Sequence, residues 1–397
     1  MKRLVLIATA VSFASHAQAK KDVPMYLQGR PPEMEDSKLV PFPPKSTVTP
    51  PNEIPLDRLK VPDGFKVEIW AHGLPGGRAM ARGDKGKIYV GTRSIGRVYE
   101  ITDKGGQRTV RVVAEKMVQP AGVAFANGSL WVASIDKMLR YDGIEDKPDV
   151  QPVDLSDKFK FPPLQHHNWK YIAFGPDKKL YVPFGAPCNI CEPPTDEYAQ
   201  IRRYNPDGSG MEVIARGIRN SIGFDWHPRT RELWFTDNGR DWMGDEGPEE
   251  ELNRVSKEGA DYGFPYCHAN GIPDAQIKKS DPCKGVTMPV TLLGPHAAVL
   301  GMIFYTGGMF PAAYKDTIFV ARKGSWNRTK LFGYDVVNVK VDADGKSAKV
   351  VPFVTGFLDA QTNEFWGRPA YVLQMPDGAL LISDEHNGAI YRVSYRK

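Results

Sequence analysis

Along most of the chain, hydrophobic and polar positions follow one recurring phrase: a short apolar strand, a turn rich in Gly, Asp or Lys, then a second strand closing on an apolar or aromatic triplet. The triplets are Ile88-Tyr89-Val90, Leu130-Trp131-Val132, Leu180-Tyr181-Val182, Leu233-Trp234-Phe235, Ile318-Phe319-Val320 and Leu380-Leu381-Ile382. Upstream lie matching segments such as Gly122-Val123-Ala124-Phe125, Gly223-Phe224-Asp225-Trp226 and Val372-Leu373-Gln374-Met375. Downstream of several triplets comes a third strand, as at Gly96-Arg97-Val98-Tyr99-Glu100, Ile201-Arg202-Arg203-Tyr204 and Ala389-Ile390-Tyr391-Arg392-Val393. Multi-stranded repeats of roughly 40 to 50 residues predict a β-propeller, because one four-stranded sheet cannot bury both faces alone and must stack on its neighbours. Six triplets predict six blades. Two unrelated β-sandwiches are the rival architecture, and they leave the shared phrase unexplained. The spacing between triplets grows in the later repeats, so long loops are inserted there, where propellers build binding sites at one end of the channel.

Outside the repeats, residues 20–59 hold Pro41, Pro43, Pro44, Pro50 and Pro51 without sustained periodicity, which predicts an extended arm lying over a propeller of residues 60–397. At the start, Lys2 and Arg3 precede the apolar run Leu4–Phe13 and the small-x-small ending Ala17-Gln18-Ala19. This pattern predicts a secretory signal cleaved after Ala19, and hence a periplasmic or secreted protein. A membrane anchor needs a longer apolar span, and no later stretch reaches that length.

Composition agrees with sheet and turn: 38 glycines, 33 prolines and 11% aromatics. The formal charge of +5 drops to about +3 once the signal is removed. Acids and bases are mixed throughout, with no basic stripe or arm, which excludes a nucleic-acid-binding class. Four cysteines in an exported chain predict two disulfides, with sequence neighbours paired as Cys188–Cys191 and Cys267–Cys283. Glu192 follows Cys191 where covalent haem attachment needs histidine.

Four groups offer chemistry. In Gln165-His166-His167-Asn168, adjacent histidines on a strand would face opposite ways, one into the channel and one outward. A neutral imidazole in the channel is a competent general base; a loop pair without a role, or half a metal site, is the alternative. Arg219-Asn220, entering the fourth repeat, could grip a carboxylate or carbonyl oxygen with a donor fork beside an amide, or form a surface ion pair. The stretch from Asp237 to Glu251 holds seven carboxylates among glycines and a proline. That supplies the hard oxygen donors calcium prefers, against the reading of a solvated acidic loop. Lastly, Lys323, Arg328 and Arg368, with Trp326 and His296, enter the same end of the fold. They predict a cationic pocket suited to a planar polyanion.

Taken in order, His167…Phe174-Gly175-Pro176-Asp177…Leu180-Tyr181-Val182, Arg219-Asn220…Gly223 and Gly239…Glu250-Glu251-Leu252-Asn253…Asp261-Tyr262-Gly263-Phe264-Pro265 resemble the glucose/sorbosone dehydrogenase family. These are soluble sugar dehydrogenases dependent on pyrroloquinoline quinone (PQQ). Gly324-Ser325-Trp326-Asn327-Arg328 is similar to the sorbosone dehydrogenase branch. The resemblance runs from about Leu59 to the C-terminus and implies a six-bladed propeller.

By that resemblance His167 is the catalytic base, and Arg219 and Asn220 contact PQQ and the reacting oxygens. Gly239 and Arg240 offer main-chain carbonyls to the calcium that holds PQQ, and Arg368 grips a PQQ carboxylate. Gln119 falls near an active-site glutamine, Lys323 or Arg328 replaces a PQQ-binding lysine, and His296 is near a further cofactor contact. Two positions depart from the pattern. His166 stands where the soluble glucose enzyme has an aspartate, and Arg240 replaces a proline. The implied reaction is oxidation of an aldose or sorbosone-like aldehyde to its lactone or acid, with electrons passed to an external cytochrome or quinone. A calcium-dependent lactonase and a cofactor-free binding propeller are the rival readings.

Overall fold

The computed structural model describes residues 24–164, 166–342 and 344–396; residues 1–19, expected to be a secretory signal, lie outside them. Six antiparallel sheets of four main strands form the blades of a six-bladed β-propeller. Blade 1 runs 77–82, 88–92, 98–104 and 107–114, from channel to rim. Blades 2 to 5 repeat that order with inner strands at 122–126, 173–174, 224–226 and 299–304. The sixth is composite: strands 369–374, 380–384 and 389–395 come from the C-terminus, and 65–72 from the start of the propeller completes the rim. Pairing of Phe65–His72 with Ala389–Tyr395 thereby closes the ring with backbone hydrogen bonds.

Every predicted triplet falls in the second strand of its blade. The strands Ile88–Thr92, Leu180–Phe184, Leu233–Asp237 and Leu380–Asp384 are buried at every position. A strand in the middle of a blade has a neighbouring blade against each face, so the in–out alternation of a one-sided sheet gives way to a continuous apolar run.

Polar side chains at the second strand of one blade bond to the inner strand of the next around the channel. Asn238 Nδ2 donates to Val299 O (2.8 Å), Thr236 Oγ1 to Leu300 O (3.0 Å), and Ser383 Oγ to Arg78 O (2.8 Å). The longest insert, between strands 249–254 and 291–295 of blade 4, carries the short hairpin 267–268/272–273. Both disulfides pair as expected, Cys188–Cys191 and, within this insert, Cys267–Cys283. Among the described residues no helix is long and apolar enough to cross a membrane.

Candidate active site

The blades present two kinds of position at one end of the channel: the entrance to each inner strand, and the residue just past each second strand. The first supplies Arg78, Arg219-Asn220, Ala298 and Arg368; the second supplies Arg93, Asn238 and Lys323, with Glu385 directly behind. Together they line a cavity of about 340 Å3 that also takes in His166, His167, Trp169, Gly239, Asp241, Glu250, His296, Trp326 and Asn327.

His167 is buried and its Nδ1 lies 3.1 Å from Ala186 O. A carbonyl can only accept, so Nδ1 carries the proton and Nε2 keeps its lone pair. Burial foremost, then His166, Arg219 and Arg93, holds the imidazole well below its ordinary range. His167 is therefore neutral at neutral pH. The expectation that the two histidines face opposite ways does not hold: both line the cavity, their ring centroids 3.9 Å apart. The segment is a turn, not a strand, and His167 has a left-handed φ of 51°. Gly185 permits this arrangement, since a Cβ there would collide with the His167 carbonyl oxygen and crowd that of Arg219.

Arg219 is held from three sides. Nε donates to Asn189 O (2.9 Å), Nη1 to Asn238 O (3.1 Å), and Nη2 to Asn189 Oδ1 (2.8 Å) and Asp241 Oδ2 (3.0 Å). It is a fixed charge rather than a searching one. Asp237 accepts from the main-chain N–H of Arg219 (2.9 Å) and Asn220 (2.6 Å), and the buried Asn220 Oδ1 has no protein partner.

Across the cavity, Glu385 is enclosed by cations. It pairs with Arg78, with Lys323 Nζ at 3.3 Å and with Arg368 Nη1 at 3.5 Å. Burial alone would raise this carboxyl, but Arg78, Lys323 and Arg368 hold it well below the usual carboxylate range. Burial in turn depresses Lys323, although Glu385 resists, and lowers Arg93 to about 10. The Arg93 guanidinium lies 3.9 Å from the centre of the Trp169 ring. Buried Arg368 Nε has no protein partner.

The seven acids of the 237–251 stretch do not converge on one point. Asp241 holds Arg219 (3.0 Å) and Asn327 (2.6 Å), Asp245 accepts from Thr329 N (3.2 Å), and Glu246 pairs with Arg328 (2.7 Å). Glu249 accepts from Gly294 N (3.1 Å), and Glu250 from Gly239 N (2.5 Å) and Ala298 N (3.2 Å). Burial pushes Glu250 up to about 8. Among the described residues no three His, Cys, Asp or Glu side chains gather as a metal would require. The side-chain ligand set expected of this stretch is thus replaced by structural hydrogen bonds. Main-chain oxygens are a different matter: among the described residues no donor reaches the carbonyl of Gly239 or Arg240.

Of the remaining sequence candidates, His296 lines the cavity, donates through Nε2 to Gly244 O (2.9 Å) and accepts at Nδ1 from Asn327 Nδ2 (3.1 Å). Gln119 stands behind Arg93, accepting from its Nε at 3.4 Å, and is not part of the lining. Arg328 also falls outside it, turned to Glu246, so of the two cations offered for the lysine position only Lys323 faces the cavity. The Arg240 side chain points away too, pairing with Asp274 at 2.8 Å. Sequence reading missed Arg78, Arg93 and Glu385. The signal was there for two of them: Arg93 and Glu385 occupy the same place after their triplets as Asn238 and Lys323 do.

A six-bladed propeller with a neutral histidine facing a clustered set of cations defines the class. Within it the chain belongs to the TrAA12-like family, whose model matches residues 59–395. It is 32% identical over 352 residues to an uncharacterized protein of Borreliella burgdorferi, covering 85% of this chain and 91% of that one. Its fold is similar to the calcium structure of the Trichoderma reesei carbohydrate-active enzyme of family AA12 (TM-score 0.70, 18% identity, 85% of this chain and 97% of that one). It is likewise similar to the holo form of the pyranose dehydrogenase PQQ domain from Coprinopsis cinerea (TM-score 0.69, 20% identity, 85% and 97%).

Proposed function

We propose that this protein is a PQQ- and calcium-dependent dehydrogenase that oxidises an aldose or a related sugar aldehyde, such as a sorbosone-like one, to its lactone or acid. The observation that carries the reading is the pairing of His167, neutral with Nε2 free, with a buried cationic wall in which the donor Arg368 Nε lacks a protein partner. A planar polycarboxylate fits that donor set: Arg78, Arg93, Lys323 and Arg368 supply charge-assisted hydrogen bonds, and Trp169 and Trp326 bound it with apolar faces. The partnerless carbonyls of Gly239 and Arg240 suit calcium, a cation that takes backbone oxygens. Substitution of a proline by Arg240 leaves this intact, because only the carbonyl is used. Family membership, and the PQQ and calcium named for the two structural neighbours, point the same way.

When bound, PQQ with its calcium would supply the two-electron acceptor for the hydride leaving the sugar carbon, and an external cytochrome or quinone would reoxidise it. His167 takes the proton from the anomeric hydroxyl, or from the hydrate of an open aldehyde, at Nε2 while Ala186 O fixes the other nitrogen. Arg219, clamped by Asn189 and Asp241, presents a preorganised positive charge where negative charge develops on the reacting oxygens. A calcium-dependent lactonase would hold its ion with side-chain carboxylates and amides from several blades, which the dispersed acids here do not provide. Residues 1–19, read as an export signal, place the reaction in the periplasm or outside the cell. Purified protein mixed with PQQ and calcium tests the reading: it predicts a shifted quinone absorbance and aldose-dependent dye reduction, and absence of PQQ binding refutes it.

A further inference from the structure

Residues 24–44 belong to no blade, yet they roof the candidate site. Met25, Tyr26, Pro41 and Phe42 line the cavity together with the propeller residues. The arm is seated twice. At the first seat, Tyr26 O accepts from Trp242 Nε1 (2.6 Å), and the Tyr26 ring meets Trp326 edge-on at 6.4 Å. Gln28 O accepts from Asn189 Nδ2 (2.5 Å), and Gly29 O accepts from Arg240 Nη2 and Gln276 Nε2, both at 3.0 Å. At the second, Phe42 packs edge-on against Phe365 at 4.8 Å and lies beneath the Arg368 guanidinium at 5.5 Å.

The anchors belong to the site itself. Asn189 also clamps Arg219, Arg240 sits in the candidate calcium loop with its side chain fixed by buried Asp274, and Arg368 lines the cavity. This accounts for Arg240 where the resemblance expects proline: its carbonyl is free for the metal loop while its guanidinium ties that loop to the arm. A channel open at one end admits an extended substrate only if the extension leaves through the mouth. Here an aromatic ring from the arm stands at two places on that mouth. The cavity, about 340 Å3, sits at the small end of ligand pockets, about 300–1,000 Å3.

We propose that this arm is the size gate of the site, with Tyr26 and Phe42 as specificity-determining residues. They admit a single sugar ring or a short sugar aldehyde and exclude a ring that is one unit of an oligosaccharide. The gate rests on the sugar-dehydrogenase reading given above.

The test uses the full chain loaded with PQQ and calcium and compares kcat/KM for glucose with that for maltotriose. Gly29→Val is the lever: Gly29 has φ 75°, and an added Cβ would meet Arg240 Nη2 at 2.6 Å and Ile190 Cγ2 at 2.9 Å, lifting the first seat from outside the cavity. Without cofactor, this variant is expected to show greater acrylamide quenching of tryptophan fluorescence, since Tyr26 covers Trp242 and Trp326. With cofactor, the wild type is expected to favour glucose by about 100-fold or more, and Gly29→Val and Tyr26→Ala/Phe42→Ala to reduce that preference by about 10-fold, chiefly through KM for the trisaccharide. A wild type that oxidises both sugars equally overturns the gate. So does an unchanged preference in the double variant, or in Gly29→Val once quenching has risen. In all these cases PQQ is bound; failure of the wild type to bind PQQ instead defeats the dehydrogenase reading, and the gate with it.

Discussion

At the scale of single residues, the proposed reaction turns on the protonation state of His167. Burial and the neighbouring Arg219 and Arg93 keep it neutral, so His167→Ala is expected to retain PQQ and to lose about 10²- to 10⁴-fold in kcat; unchanged turnover would remove His167 from the reaction. Because its pKa is depressed, the acid limb of kcat/KM is expected below pH 6.5, with no loss between pH 6.5 and 8 from this group. His166 titrates at about 3 when folded and near 6.5 when unfolded, so between those values the unfolded chain binds more protons, and stability falls as pH drops through that window. Glu385 offers a second residue-scale test. Glu385→Gln leaves Arg78, Lys323 and Arg368 facing one another in a buried setting. It is expected to lower stability by about 3–5 kcal/mol, and added PQQ should raise its melting temperature more than that of the wild type.

At the scale of elements, the sequence made the second strands plain, because burial on both faces writes them as apolar triplets. The inner strands were harder to see: those of blades 3 and 4 have only two or three paired residues, Ala173–Phe174 and Phe224–Trp226. Loops hid more. Nothing in His166-His167 announces a left-handed turn, and the acidic stretch reads as a calcium loop until each carboxylate is seen engaged with a backbone N–H, an amide or an arginine. Arg93 and Glu385 were recoverable from their register after the triplets, whereas Arg78, at an inner-strand entrance, carries no such mark. The disulfides followed from proximity in sequence alone. Cys267–Cys283 closes a loop of sequence separation 16 in the long insert of blade 4. Its removal by Cys267→Ser/Cys283→Ser is expected to cost about 3 kcal/mol in chemical denaturation, and a change below about 0.5 kcal/mol would mean that the insert is held by its other contacts.

At the scale of the whole molecule, the ring closes through strand 65–72, and the chain before that strand is left to cross the face where the pocket opens. Rigid blades therefore fix the cations and His167, while the arm, anchored by a few main-chain carbonyls and two aromatic contacts, shapes the entrance. All of this has one purpose if a planar, polyanionic quinone belongs in the pocket. The direct measurement is a titration of the purified full-length chain with PQQ in the presence and absence of calcium, followed by quinone absorbance and completed by addition of an aldose. Saturable, calcium-dependent binding of one PQQ per chain, with bleaching of the quinone band on adding the sugar, is the predicted result. A chain that leaves the PQQ spectrum unchanged at every calcium concentration would contradict the account.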